Sequence, residues 1–215
     1  MIVDSQKVIG SFAFPLILAS QSPRRKQILE SVGLACQVEL PTSEEQHPHP
    51  GETLDHIMET NALEKALSVA KRFPEAKNVI VGADTLVILD GEALGKPTDK
   101  KSALKMLRKL SGRTHEVITG LALVSETFGN RTSAHRSQVT FHELAPTEIE
   151  AYANIAEPYD KAGSYAVQGV GALFIARIDG SYTNVMGLPV EGLLRELASL
   201  TGQPVFDFFP KKGAR

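Results

Sequence analysis

Residues Val79–Leu89 form an apolar run interrupted near its middle by one acid, Asp84, and closed by Asp90-Gly91. Both positions of that dipeptide favour positive φ, so the run reads as a long strand that folds back as a hairpin. The fold-back pairs Leu89 with Glu92 and brings Lys96 opposite Thr85, next to Asp84, with a register shift open if Gly95 forms a bulge. An unpartnered buried carboxylate is costly, so Asp84 calls for a cation, a metal or a hydrogen-bond network. The plain alternative is an Asp that ends one strand and turns the chain. Gly82 and Ala83 are small, as expected where something approaches the backbone closely.

A second signal lies upstream. The apolar strand Leu16–Ala19 runs into Ser20-Gln21-Ser22-Pro23-Arg24-Arg25 and then a helical pattern. A helix start offers free N–H groups and a positive dipole end, and Pro23 suits the first helical position. The hydroxyls of Ser20 and Ser22 and the forked donors of Arg24 and Arg25 make the junction suited to polyphosphate. A capped helix with two solvated arginines is the bland reading.

Along the predicted helix Leu54–Arg72, the residues Leu54, Met58, Ala62, Ala66 and Val69 make an apolar stripe. Lys65 points in nearly the same direction, with Asn61 one turn before it. A lysine there either snorkels or meets an anion, and the phosphate-binding corner favours contact with a ligand phosphate. Further strands are predicted at Glu92–Gly95, Glu116–Ser125 and Ser133–Glu143. Helices are predicted near Asp99–Leu110, after Pro146 and at Val190–Leu200, and a second hairpin at Asp179-Gly180. Hairpins mixed with crossover helices indicate an α/β fold with a mixed sheet. Glu44 and Glu45 follow the second strand. His47-Pro48-His49 resembles a metal pair only superficially. The glycines of Asp160–Gly171 suit a loop folded tightly over a ligand, or a kinked strand entry.

Bulk properties narrow the function classes. The 215 residues carry a formal net charge of −2, which argues against a general nucleic-acid binder. Cys36 is the single cysteine, sits among apolar neighbours and makes a poor catalytic thiol. No stretch approaches the ~20 apolar residues of a membrane span. A cytoplasmic protein with no membrane partner is expected. Neither a dinucleotide-binding nor a Walker-type glycine motif occurs.

Taken together, Ser20–Arg25, Gly82-Ala83-Asp84-Thr85, Gly95-Lys96-Pro97, Leu110–His115, Asp160-Lys161-Ala162-Gly163 and Gly187-Leu188-Pro189 resemble the Maf family of nucleoside triphosphate pyrophosphatases. The resemblance runs from about Pro15 to Leu200. It implies one domain over 15–206, with an N-terminal extension at 1–14 and a basic tail at 207–215. It also implies an elongated Maf/ITPase-like fold, a mixed β-sheet with flanking helices and two lobes around a deep cleft.

By motif position, the resemblance implies that Ser20 and Arg24 hold phosphates while Lys65 and Lys96 offset their charge. Asp84 becomes the general base or a metal ligand on the attacking water. Glu44 becomes the other metal-side carboxylate, with Glu45 as the alternative, and the ion is Mg²⁺ or Mn²⁺. Arg24, Thr85 and Gln168 occupy positions that separate a dTTP/UTP branch from a 7-methyl-GTP branch, and the Asp160–Gly169 stretch resembles the former. The rival readings are the 7-methyl-GTP activity and a non-catalytic nucleotide-binding regulator of cell division. The partner implied is a nucleoside triphosphate, and the resemblance allows a homodimer. His115 is read as structural.

Overall fold

The computed structural model describes residues 14–46, 52–74, 77–155 and 157–209. Strand β1 (Leu16–Ala19), helix α1 (Pro23–Ser31) and strand β2 (Gln37–Glu39) form the first unit, with β2 parallel to β1. Helix α2 (Leu54–Ala70), strands β3 (Val79–Leu89) and β4 (Glu92–Leu94) and helix α3 (Lys100–Leu110) come next. The long hairpin β5 (Thr114–Ser125) and β6 (Gly129–Phe141) leads to α4 (Pro146–Tyr152). Three 3-10 turns, at Glu157–Asp160, Ala162–Ser164 and Gly169–Phe174, precede β7 (Ile175–Asp179), α5 (Tyr182–Met186) and α6 (Val190–Thr201).

The strands make one mixed sheet in the order β2-β1-β3-β5-β6-β7, with β4 beside β3. Asp90 and Gly91 have φ of 51° and 79°, and Leu89 pairs with Glu92 as the dipeptide predicts. Asp99 caps α3 by accepting from Ser102 N, while the Ser102 hydroxyl accepts from Asp99 N. That reciprocal cap sets the helix start.

Alternate residues of β3 face opposite layers. Val79, Val81 and Ala83 join a core with Leu29, Leu188 and Leu193. Ile80 faces α2 through Ala62, Ala66 and Val69. The small residues beside Asp84 now have a cause. A Cβ on Gly82 would stand 2.0 Å from the Ala62 carbonyl oxygen, and one on Gly120 would stand 2.0 Å from that of Met58. The α2 backbone rides directly on the sheet at these two points.

One edge of β3 is interrupted. β1 accompanies it as far as Ala19 opposite Gly82, and β4, running the other way, ends with Leu94 opposite Val87. Between them, residues 83–86 pair with β5 on one side and with no strand on the other. Since β1 runs parallel and β4 antiparallel to β3, the carboxyl ends of both strands point into this notch. Ser20 and Gly95 leave from its two sides. Crevices outside strand carboxyl ends are where open α/β sheets bind ligands.

One expectation needs correction. Asp179-Gly180 makes no hairpin: Asp179 ends β7 opposite Gln138, and Ser181 caps α5 by accepting from Asn184 N. A capping serine, not a second apolar run, follows the glycine. Phe14 and Phe208 are buried in the same core and meet edge to face.

Candidate active site

The notch opens into a cavity of about 350 Å³. Its wall takes Ser20, Ser22, Arg24 and Arg25 from the β1–α1 junction, Lys65 from α2, Asp84 and Thr85 from β3, Lys96 from beyond β4, and Gln168 from the loop before β7. Glu45 also lines it, whereas Glu44 is exposed and stands outside the wall. Of the two adjacent acids, Glu45 is the one that lines the wall and reaches Lys65.

Asp84 is buried at 8% exposure. Lys65 Nζ donates to Asp84 Oδ1 at 2.6 Å and to Glu45 Oε1 at 2.7 Å. Asn61 Nδ2 donates to Asp84 Oδ2 at 2.9 Å. Asn61 and Lys65 lie four apart on α2, so one helix face delivers both groups to one carboxylate. The Asn61 amide also clamps the 41–46 loop, accepting from Gln46 N at 2.8 Å and donating to Gln46 O at 3.0 Å. Burial acts to raise Glu45, but the hydrogen bond and charge of Lys65, with Lys96 and Arg25 behind them, hold it below the usual carboxylate range. The Lys65 ammonium is thus shared by two acids in this structure rather than left open to phosphate.

Arg25 is half-buried, and desolvation pulls it below the ordinary arginine value while the Asp84 charge opposes that pull. It donates from Nε to Gly187 O at 2.7 Å, from Nη1 to Ser20 Oγ at 3.2 Å and from Nη2 to Thr85 Oγ1 at 3.1 Å. A guanidinium has about five N–H donors, so part of its fork stays available. Ser20 Oγ also accepts from Ser22 N at 3.1 Å, and the Ser22 hydroxyl makes no cap bond. Arg24 meets Asp160 at 3.1 Å, joining α1 to the 3-10 segment. Burial acts to raise Asp160, but Lys161 and Arg24 together keep it low. Lys96 makes no hydrogen bond or ion pair among the described residues, so its charge is open to the cavity.

At the other end stand Gln168, exposed at the tip of its loop, and Tyr165. His115 Nε2 lies 2.7 Å from Tyr165 Oη, and burial drives the imidazole down to about 4, so it is neutral near pH 7. Phe141 closes the cluster edge to face against both rings. Burial pushes the Cys36 thiol up, and it lies off the wall. His47 and His49 fall outside the described residues. Among the described residues no three His, Cys, Asp or Glu side chains form a metal cage, and no helix is long and apolar enough to cross a membrane. Sequence reasoning missed the Arg24–Asp160 contact, since nothing local links positions 136 residues apart.

Residues 15–200 match the family model described as Maf-like protein. A protein of Syntrophus aciditrophicus (strain SB) named dTTP/UTP pyrophosphatase is 45% identical over 190 residues, covering 86% of this chain and 91% of the relative. Proteins of the same name from Bacillus pumilus (strain SAFR-032) and Bacillus cytotoxicus are 44% and 46% identical, covering 85% and 84% of this chain and 94% and 93% of theirs. Among solved structures, the Ham1 protein of Staphylococcus aureus aligns with a TM-score of 0.40 at 13% identity, over 59% of this chain and 71% of that one. That likeness supports no inference.

Proposed function

The chain belongs to the Maf family, and from that premise we propose that it hydrolyses dTTP and UTP to the nucleoside monophosphate and pyrophosphate. One observation carries the reading. A buried carboxylate, Asp84, held by Lys65 and Asn61, lies in the same cavity wall as Arg24, Arg25 and Lys96. An acid for water and cations for a triphosphate are what such a reaction requires.

Water attacks the α-phosphorus, the new P–O bond forms as the bond to the bridging oxygen breaks, and pyrophosphate departs. Asp84 takes the water proton, and the Lys65 ammonium and Asn61 amide orient its carboxylate for that transfer. Arg24 binds the phosphate oxygens, and Lys96 faces them and stabilises the charge that gathers there. Arg25 acts from behind, fastening Ser20, Thr85 and Gly187 into one wall. At the far end the Gln168 amide accepts from the pyrimidine N3–H and donates to O4.

Asp84 and Glu45 offer hard oxygen donors, the kind that would suit a Mg²⁺ or Mn²⁺. Such an ion, held by these two residues, would supply added positive charge at the phosphates.

Incubation with a panel of nucleoside triphosphates, 7-methyl-GTP included, and Mg²⁺ tests the proposal by pyrophosphate assay. Release from dTTP and UTP above the rest is expected. Preference for 7-methyl-GTP would move the chain to the other branch, and tight binding without product would make it a nucleotide-binding regulator.

A further inference from the structure

Glu157 lies off the cavity wall, yet the loop that carries Gln168 is wound around its carboxylate. Gly171 N donates to Glu157 Oε1 at 2.8 Å, and Val170 N donates to Oε2 at 3.2 Å. Tyr152 Oη donates to the same Oε1 at 2.8 Å and accepts from Ala166 N at 3.2 Å. Both arms of the loop, two residues before Gln168 and two and three after it, are therefore tied to a single carboxylate–phenol pair.

The chain around this pair has no room to spare. Gly169 has φ of 70°, and a Cβ there would stand 2.4 Å from Glu157 Oε2. At Gly171 a Cβ would stand 2.5 Å from Ala166 O and 2.7 Å from Tyr152 Oη. The two glycines let the backbone close on the acid, which explains their presence without contact to any ligand. Burial acts to raise Glu157, but Gly171 N–H, the Tyr152 hydroxyl, Val170 N–H and Lys161 outweigh it, so the acceptor stays charged. Lys161 also donates to the Glu157 carbonyl at 2.5 Å, fastening the same residue from its backbone side.

We propose that Glu157 is a positioning residue for nucleobase choice: by gripping the Val170 and Gly171 amides and the Tyr152 hydroxyl, it sets where the Gln168 amide stands over the cavity. This rests on the functional reading above, in which Gln168 meets the base. Glu157 touches no substrate. It acts through the loop, and its loss lets the Gln168 amide range over positions that no longer match one base edge.

A double-mutant cycle tests it, with the full chain and the variants Glu157→Gln, Gln168→Ala and both together. The glutamine keeps the size of the side chain but turns one acceptor into a donor facing Val170 N–H. Expected for Glu157→Gln is a roughly 10- to 100-fold loss in kcat/KM for UTP, the scale of lost bonds to a charged group, carried mainly by KM. Preference for UTP over CTP should flatten in parallel. On the Gln168→Ala background the same change should add less than about threefold, because coupled residues are not additive. Amide hydrogen exchange at Val170 and Gly171 should quicken in Glu157→Gln while the β3 amides stay protected, which also certifies that the variant folds.

Unchanged base preference in Glu157→Gln would overturn the inference. So would an equal loss on both backgrounds, or unaltered exchange at the two amides. Wild-type protein that releases no pyrophosphate from UTP or dTTP would refute the functional reading itself, a separate result, and would take the inference with it.

Discussion

At the Asp84 end of the cavity the proposed catalytic groups stand on a strand and a helix, whereas at the other end Gln168 stands between two 3-10 turns tied to one acid. Asp84 sits in the β3 ladder, and Lys65 and Asn61 come from a seventeen-residue helix pressed against it. Gln168 has no ladder and owes its place to Glu157 and Tyr152. The reacting atoms need sub-ångström placement, which regular elements supply. Base choice needs only a few hydrogen bonds at the right edge, which a loop can carry and evolution can rework.

Damage at the two ends should therefore differ in kind. Lys65→Met should be the most disruptive change, lowering stability by about 3–5 kcal/mol because Asp84 is left buried without its counter-charge. Adding Asp84→Asn should return most of that loss in urea unfolding. Failure to return it would mean the pair does not govern the Asp84 end. Asp84→Asn alone should leave the fold intact and lower kcat by about 10²- to 10³-fold, and near-normal turnover would remove Asp84 from the chemistry.

The Gln168 end should instead respond to acid. His115 is held near 4 when folded against an ordinary value of 6.5, so the unfolded chain takes up its proton first as pH falls. Its contribution is full above about pH 6.5 and is lost progressively toward pH 4, by about 3 kcal/mol at most. Unfolding midpoints at pH 7 and pH 4.5 check this, and a His115→Gln variant that loses as much over that range would place the acid sensitivity elsewhere. The smallest effect is expected from Arg24→Ala, which removes one phosphate donor but also frees Asp160. KM should rise about tenfold with kcat little changed. A fall in kcat without a change in KM would move Arg24 from binding to the chemical step.

The bounds of β3 and the turn after it were legible because apolar content and a positive-φ dipeptide agreed there. The same dipeptide misled at 179–180, where the residues that follow cap a short helix. Lys65 was legible as an anomaly, a charge on an apolar stripe, but its two partners were not. Glu44 and Glu45 are adjacent in a loop without periodicity, so nothing local says which one turns inward. The small residue Gly82 was visible as a place of close approach, but only the fold shows that the approaching group is the α2 backbone.

The order of residues by itself determined the strand–helix junction at Ser20–Arg25, the long β3 and the family, since these depend on local periodicity, turn chemistry and motif spacing. Only the tertiary structure decided that β1 and β4 both stop short along one edge of β3, and that Glu45, Asp160 and Glu157 answer Lys65, Arg24 and the Gln168 loop. Local preferences act over a few residues. The long-range contacts that complete the cavity join positions from 13 to 162 residues apart, and packing alone settles which of several chemically equal side chains meets its partner.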